Sequence, residues 1–159
     1  MKTTSNALSR KTVDLHFHSI RNISSPEDLK NDRKVFVSQS DIKSIVDIPT
    51  NENVRNYLVD ADGKLRKAYT SVHKAIKETL LNDPENFSLL NSGLTIVASD
   101  IEIDEKEKVV KLKKPSIING SQTQGVIKDL IADGQPLDDI HVKCEIIITK
   151  DSHLIAEVS

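Results

Sequence analysis

Four short stretches of the chain hold residue types that could do chemistry. In the first, Ser116-Ile117-Ile118 delivers the chain to Asn119-Gly120-Ser121-Gln122-Thr123, and an apolar-periodic segment follows. A strand that enters a glycine turn and then a helix presents unpaired backbone N–H groups at the positive end of the helix dipole, which suits an anion such as phosphate. Ser121, Gln122 and Thr123 add side-chain donors that can address a phosphate, a ribose or a base. The second stretch, Asn91-Ser92-Gly93, is another small-polar turn. The third is Asp14-Leu15-His16-Phe17-His18-Ser19. Histidines at i and i+2 of a strand share a face and can chelate zinc or manganese. The fourth is Cys144, the single cysteine and so the only thiol nucleophile on offer.

Each stretch also has a purely structural account. Gly120 can simply make its turn and Ser121 simply cap the helix. His16 and His18 can be the polar face of an edge strand. A metal hydrolase needs further ligands, and the other histidines, His73, His141 and His153, sit in no such motif; His73 falls within a charged helix. Cys144 alternates onto the same face as Val142, Ile146 and Ile148, which marks it as core. With no convincing nucleophile, no carboxylate pair in a motif and no complete metal set, the residues do not read as an enzyme or as the holder of a cofactor.

The elements that must position these residues follow from periodicity and turn chemistry. Val13, Leu15 and Phe17 alternate with Asp14, His16 and His18, as in a half-buried strand. Ser24-Ser25-Pro26 reads as a turn or helix start, Lys34–Val37 as a strand, and Ser40–Val46 as a short helix capped by Ser40. A loop running into a short helix is expected over 48–58, with a turn at Asp62-Gly63. The clearest helix spans Leu65–Leu81, its stripe formed by Leu65, Ala68, Tyr69, Val72, Ala75, Ile76, Thr79 and Leu80, with Asn82-Asp83-Pro84 as its stop. Leu94–Val97 is a strand that continues through Ile101 and Ile103 to a charged hairpin tip, Asp104–Lys108. Val109–Leu112 returns, and Pro115–Ile118 forms a strand on or near it. A helix over Gln122–Ala132 closes at Asp133-Gly134, His141–Thr149 is a strand, and Asp151-Ser152 caps a final helix.

The 159 residues suffice for one domain or two small lobes sharing a core. A net charge of −2 excludes a strongly basic nucleic-acid coat but not a local basic patch. Aromatic residues at 3%, with no Trp, exclude extensive stacking platforms. One cysteine excludes an internal disulfide and a cysteine-rich zinc site. No apolar run approaches the roughly 20 residues that span a bilayer, and the polar N-terminus lacks a signal peptide's apolar stretch, so a cytoplasmic, non-membrane protein is expected.

Several separated segments carry a family resemblance. They are Asn53-Val54-Arg55-Asn56-Tyr57-Leu58, a helix ending Glu78-Thr79-Leu80, Pro84-Glu85-Asn86-Phe87, Asn91-Ser92-Gly93-Leu94-Thr95-Ile96 and Pro115–Thr123. In order and spacing, over about residues 35–159, they resemble the AIPR family, named for abortive-infection phage resistance in bacteria. Ser92 stands where the family usually has a second Asn, and Ser88 and Leu90 replace a more aromatic stretch. A more distant likeness joins Ile117–Thr123 and the following helix and strand to the corresponding unit of ParB, sulfiredoxin and DndB-type proteins, where the turn holds nucleotide phosphates. Thr123 and Gln124 replace the His-Arg or Arg-Arg pair of those motifs, so a guanidinium for bidentate phosphate binding is lost there. Arg55 is the candidate to supply a cation instead. The strand bearing His16 and His18 resembles the opening motif of PHP-type metal phosphoesterases.

The resulting expectation is an α/β fold (or α+β) with a mixed sheet. A β-turn-α-β-α, ParB-like unit over 84–159, cut off within its last helix, packs beside an N-terminal α/β lobe over 13–83, and 1–12 form a flexible arm. The resemblance implies part of a phage-defence protein. Its nucleotide or nucleic-acid phosphate site would use Asn119, Gly120, Ser121, Gln122 and Thr123, with Asn91, Gly93 and Arg55 beside them. No metal or other cofactor is expected. The expected partners are the rest of a longer chain, a nucleotide or nucleic acid, and a second copy of the chain in a homo-oligomer. The rival readings are a non-catalytic oligomerisation or docking module and a PHP-like metal-dependent phosphoesterase.

Overall fold

The computed structural model describes residues 12–50, 57–59, 65–67 and 70–151. The expected arm up to Lys11, the loop residues 51–56 that include Arg55, the Asp62-Gly63 turn and the helix expected after Asp151 lie outside them. The strands are β1 (Thr12–Asn22), β2 (Lys34–Asp41), β3 (Tyr57–Val59), β4 (Leu65–Lys67), β5 (Leu94–Ala98), β6 (Asp100–Asp104), β7 (Val109–Lys113), β8 (Ser116–Asn119) and β9 (His141–Ile148). The helices are α1 (Pro26–Lys30), α2 (Ser71–Asn82), α3 (Phe87–Leu90) and α4 (Ser121–Ala132), with 3-10 turns at Ile42–Ile45 and Pro84–Asn86.

The expected mixed α/β architecture is present. Seven strands form one sheet in the order β6-β7-β1-β2-β9-β5-β8, and β3 and β4 pair separately. The β5–β9 pair is parallel and the other pairs are antiparallel. Only Ser99 separates β5 from β6, and only Lys114 and Pro115 separate β7 from β8. Because consecutive Cα atoms lie 3.80 Å apart, the two ends of the strand order cannot be far from each other. They are the two halves of one long hairpin, residues 94–119, and the sheet curls until those halves meet. Its inner face carries the core: Leu15, Ile96, Val110, Leu112, Ile117, Val142 and Ile146 have no solvent exposure, nor has Ile42 of the 3-10 turn. Burying a side chain of this size contributes about 1.5–3 kcal/mol.

The alternation of β1 is as expected, with Val13, Leu15 and Phe17 buried and Asp14, His16 and His18 exposed. Tyr57 and Leu58, expected where a loop runs into a short helix, instead open the strand β3. Two further elements correct the sequence reading. The helix expected over Leu65–Leu81 starts only at Ser71. Leu65–Lys67 is instead the short strand β4, paired with Tyr57–Val59. Thr70 sets that start through a reciprocal cap: its hydroxyl accepts from the His73 backbone, and its own N–H donates to His73 Nδ1 at 3.0 Å. His73, expected within a charged helix, is buried beside Ile76 and Leu80, whereas Val72, expected on the apolar stripe, is 48% exposed. The second correction concerns Ser40, expected as a helix cap. It is a buried residue within β2, bonded to Ser38 at 2.8 Å, while Asp41 caps a single 3-10 turn.

Candidate functional site

The open end of the 94–119 hairpin faces α2 and α3 across a cleft of about 520 Å³. Sequence-singled residues from two turns meet there: Asn91 and Gly93 from one, Asn119, Gly120, Gln122 and Thr123 from the other. Ser121 is half-buried and does not line the cleft, and Arg55 lies outside the described residues. Opposite the polar turns stand Val72, Ala75, Ile76, Phe87 and Leu90. No lining residue is ionisable.

Backbone proximity explains the two glycines. Gly93 has φ +91°, and a Cβ there would lie 2.6 Å from the Lys143 carbonyl oxygen. Gly120 has φ +95°, and its Cβ would lie 2.8 Å from both the Gly93 carbonyl oxygen and Leu94 Cδ2. Each position thus needs a left-handed backbone and the missing side chain together. Gly120 also takes the cap position of α4, with no side-chain cap, so the capping role considered for Ser121 does not hold.

The polar residues divide by what they already hold. Asn91 donates to Thr123 Oγ1 at 3.1 Å and accepts from the Gly93 N–H at 2.8 Å, tying the loop to the first turn of α4. Thr123 is buried. Gln124, at the place of the missing guanidinium, is buried too: its Nε2 donates to the carbonyls of Ile45 at 2.9 Å and Ile48 at 2.7 Å. It fastens α4 to the segment leading to Thr50, which bridges in parallel to Ile117 of β8. The side-chain amides of Asn119 and Gln122 make no hydrogen bond among the described residues, and both residues line the cleft, one exposed and one half-buried. Their amides can each donate and accept, the pattern that reads a base edge or a phosphate oxygen.

A family model described as AIPR protein matches residues 51–159. The chain belongs to the AIPR family. Membership supports a phage-defence, abortive-infection role. The match takes in both cleft turns of this AIPR chain and begins after β1 and β2, which nevertheless supply the centre of the sheet. No curated protein and no solved structure gives a significant match.

The remaining sequence candidates sit apart from the AIPR cleft. Burial pushes the Cys144 thiol up to about 12, against a partial lowering by hydrogen bonds to Ser40 and Ser38, so the thiolate is strongly disfavoured. His16 and His18 are exposed on β1, with the His18 ring edge-on to that of His141 at 5.8 Å. No group of three metal-ligating side chains occurs among the described residues. No helix among them is long and apolar enough to cross a membrane. One neighbour of the cleft escaped sequence reasoning. Lys143 faces Gly93 across the β5–β9 pair, a contact between residues fifty apart that only strand register reveals.

Proposed function

We propose that this AIPR-family chain binds a nucleotide or nucleic-acid phosphate at the Asn119–Thr123 turn. The observation that carries the reading is the convergence of the 91–93 and 119–123 turns on one cleft at the start of a twelve-residue helix. Backbone N–H groups and the helix dipole favour the phosphate, Asn119 and Gln122 supply adaptable amides, and the apolar wall of α2 and α3 accepts a sugar or base. The cleft itself holds no cation, so free nucleotide binds weakly and depends on charge from outside the lining.

Calorimetric titration of mononucleotides and short DNA or RNA into the parent chain and an Asn119→Ala, Gln122→Ala double variant tests this reading. The double variant is expected to bind at least ten-fold more weakly while keeping its melting curve. Ligand at 100 times its dissociation constant should raise stability by about 2.7 kcal/mol. Arg55→Gln should cost about 1.5–3 kcal/mol of binding as a lost charge-assisted contact, and Lys113→Gln, on the exposed side of β7, little. Parent protein that binds no ligand at millimolar concentration would favour the docking-module reading. That alternative draws on the exposed Leu89 (75%) and Leu90 (62%) at the edge of the cleft.

A further inference from the structure

A second depression of about 540 Å³ adjoins the cleft and shares Ser92 and Thr95 with it. It lies on the outer face of the sheet, and strand register fixes its layout. One row runs Ser19, Gln39, Lys143, and by extension of the parallel pairing to Gly93; the next runs Arg21, Val37, Glu145, Thr95. The first row therefore ends on the glycine whose carbonyl touches Gly120. The Lys143 Cβ stands 3.1 Å from where a Gly93 Cβ would be, so its stem emerges at the boundary between the two depressions.

The two depressions have complementary chemistry. The cleft has amides, an apolar wall and no ionisable group, whereas the groove has two exposed cations, Arg21 and Lys143, against one carboxylate, Glu145. Between Ser19 and Lys143, Gln39 Oε1 is buried and accepts no hydrogen bond among the described residues. Such an acceptor is costly unless a ligand or water donates to it. A mononucleotide seated at the Asn119–Thr123 turn would reach only the cleft. An occupant of both must carry several anions along a thread narrow enough to cross the side-chain-free ridge at Gly93.

We infer that cleft and groove form one site for single-stranded nucleic acid, in which Lys143 and Arg21 hold backbone phosphates beyond the nucleotide seated at the Asn119–Thr123 turn. This inference rests on the proposed function of that turn. Lys143 and Arg21 place positive charge along the groove, beyond the nucleotide in the cleft, and Glu145 opposes it.

The test uses the full chain and fluorescein-labelled single-stranded tetramers of dT and of rU, with dTMP and UMP as competitors, over a range of salt. The tetramers are expected to bind at least ten-fold more tightly than the mononucleotides. Lys143→Gln and Arg21→Gln are each expected to weaken tetramer binding about ten-fold, to leave mononucleotide binding unchanged, and to reduce the salt slope by about 0.7. Glu145→Gln is expected to tighten tetramer binding, and Lys113→Gln to leave it unchanged. Tetramers that bind no better than mononucleotides, or that ignore the charge of residues 21 and 143, would overturn the extended site and leave the turn standing. A parent chain that binds neither probe would overturn both.

Discussion

The two ends of the 94–119 hairpin solve the same backbone problem in opposite ways. At the cleft end, Gly93 and Gly120 take φ near +90° with backbone atoms 2.6 and 2.8 Å from any added Cβ. At the tip, Lys108 takes φ +56° with a full side chain, whose ammonium donates to the His18 carbonyl at 2.9 Å. Gly134 lies between the extremes: φ is +80°, but nothing stands within 4 Å of its missing Cβ. A left-handed residue at a solvent-facing turn is a local matter of torsional preference. At the cleft it is also a matter of what backbone the neighbouring strand brings close, and that closeness joins the two turns into one site.

The largest expected effect therefore falls on the cleft glycines. Gly120→Ala combines left-handed strain of about 1–2 kcal/mol with overpacking of about 1–3 kcal/mol against Gly93 and Leu94. Gly93→Ala meets the Lys143 carbonyl in the same way. Both should destabilise by about 2–5 kcal/mol in chemical denaturation, against about 1 kcal/mol for Gly134→Ala, which meets torsional strain alone. Equal losses at all three positions would remove the distinction between close approach and torsion.

Next is Gln124→Leu. It strips donors from the Ile45 and Ile48 carbonyls in a buried setting, and about 2–3 kcal/mol should be lost. This position shows where the sequence stopped being legible. A glutamine in place of an expected guanidinium reads locally as a lost ligand. Its actual partners lie more than seventy residues upstream, and only the fold brings them near. The same holds for Lys143 and Arg21, which no motif marks; strand register alone sets Lys143 beside the cleft and Arg21 in the adjoining groove. Local signals carried further. The β1 alternation, the hairpin tip and the Gly134 stop of α4 were all readable, the last because Gly134 and Gln135 donate back to Ile131 and Leu130 in a Schellman motif. The misplaced start of α2 has a physical reason. Leu65, Ala68 and Tyr69 happen to continue its 3.6-residue stripe, but the Thr70–His73 cap ends the helix at that point, and side-chain periodicity carries no record of a cap formed by histidine.

Asn91→Ala should lie lower, at about 1–2 kcal/mol, since it removes one bond to Thr123 and the brace on the Gly93 N–H. Because these bonds fix the loop against α4, the same variant should weaken ligand binding even though the Asn91 amide is already engaged within the protein. A variant that loses stability while binding unchanged would show that the cleft tolerates movement of this loop.

The smallest effect is expected at the tip. Lys108→Gly relieves left-handed strain of about 1 kcal/mol, but glycine loses about 0.5–1 kcal/mol more backbone entropy on folding, and the bond to the exposed His18 carbonyl adds little in water. These terms oppose one another, so the net change should stay within about 0.5 kcal/mol by urea denaturation. The Lys108 carbonyl still accepts from the Phe17 N–H at 3.1 Å, which keeps the tip docked on β1 whatever the side chain. A loss above about 1.5 kcal/mol would mean that the lysine side chain itself holds the tip on β1. The two ends of the hairpin would then differ in degree only, and the tolerance ascribed to the solvent-facing turn would fail.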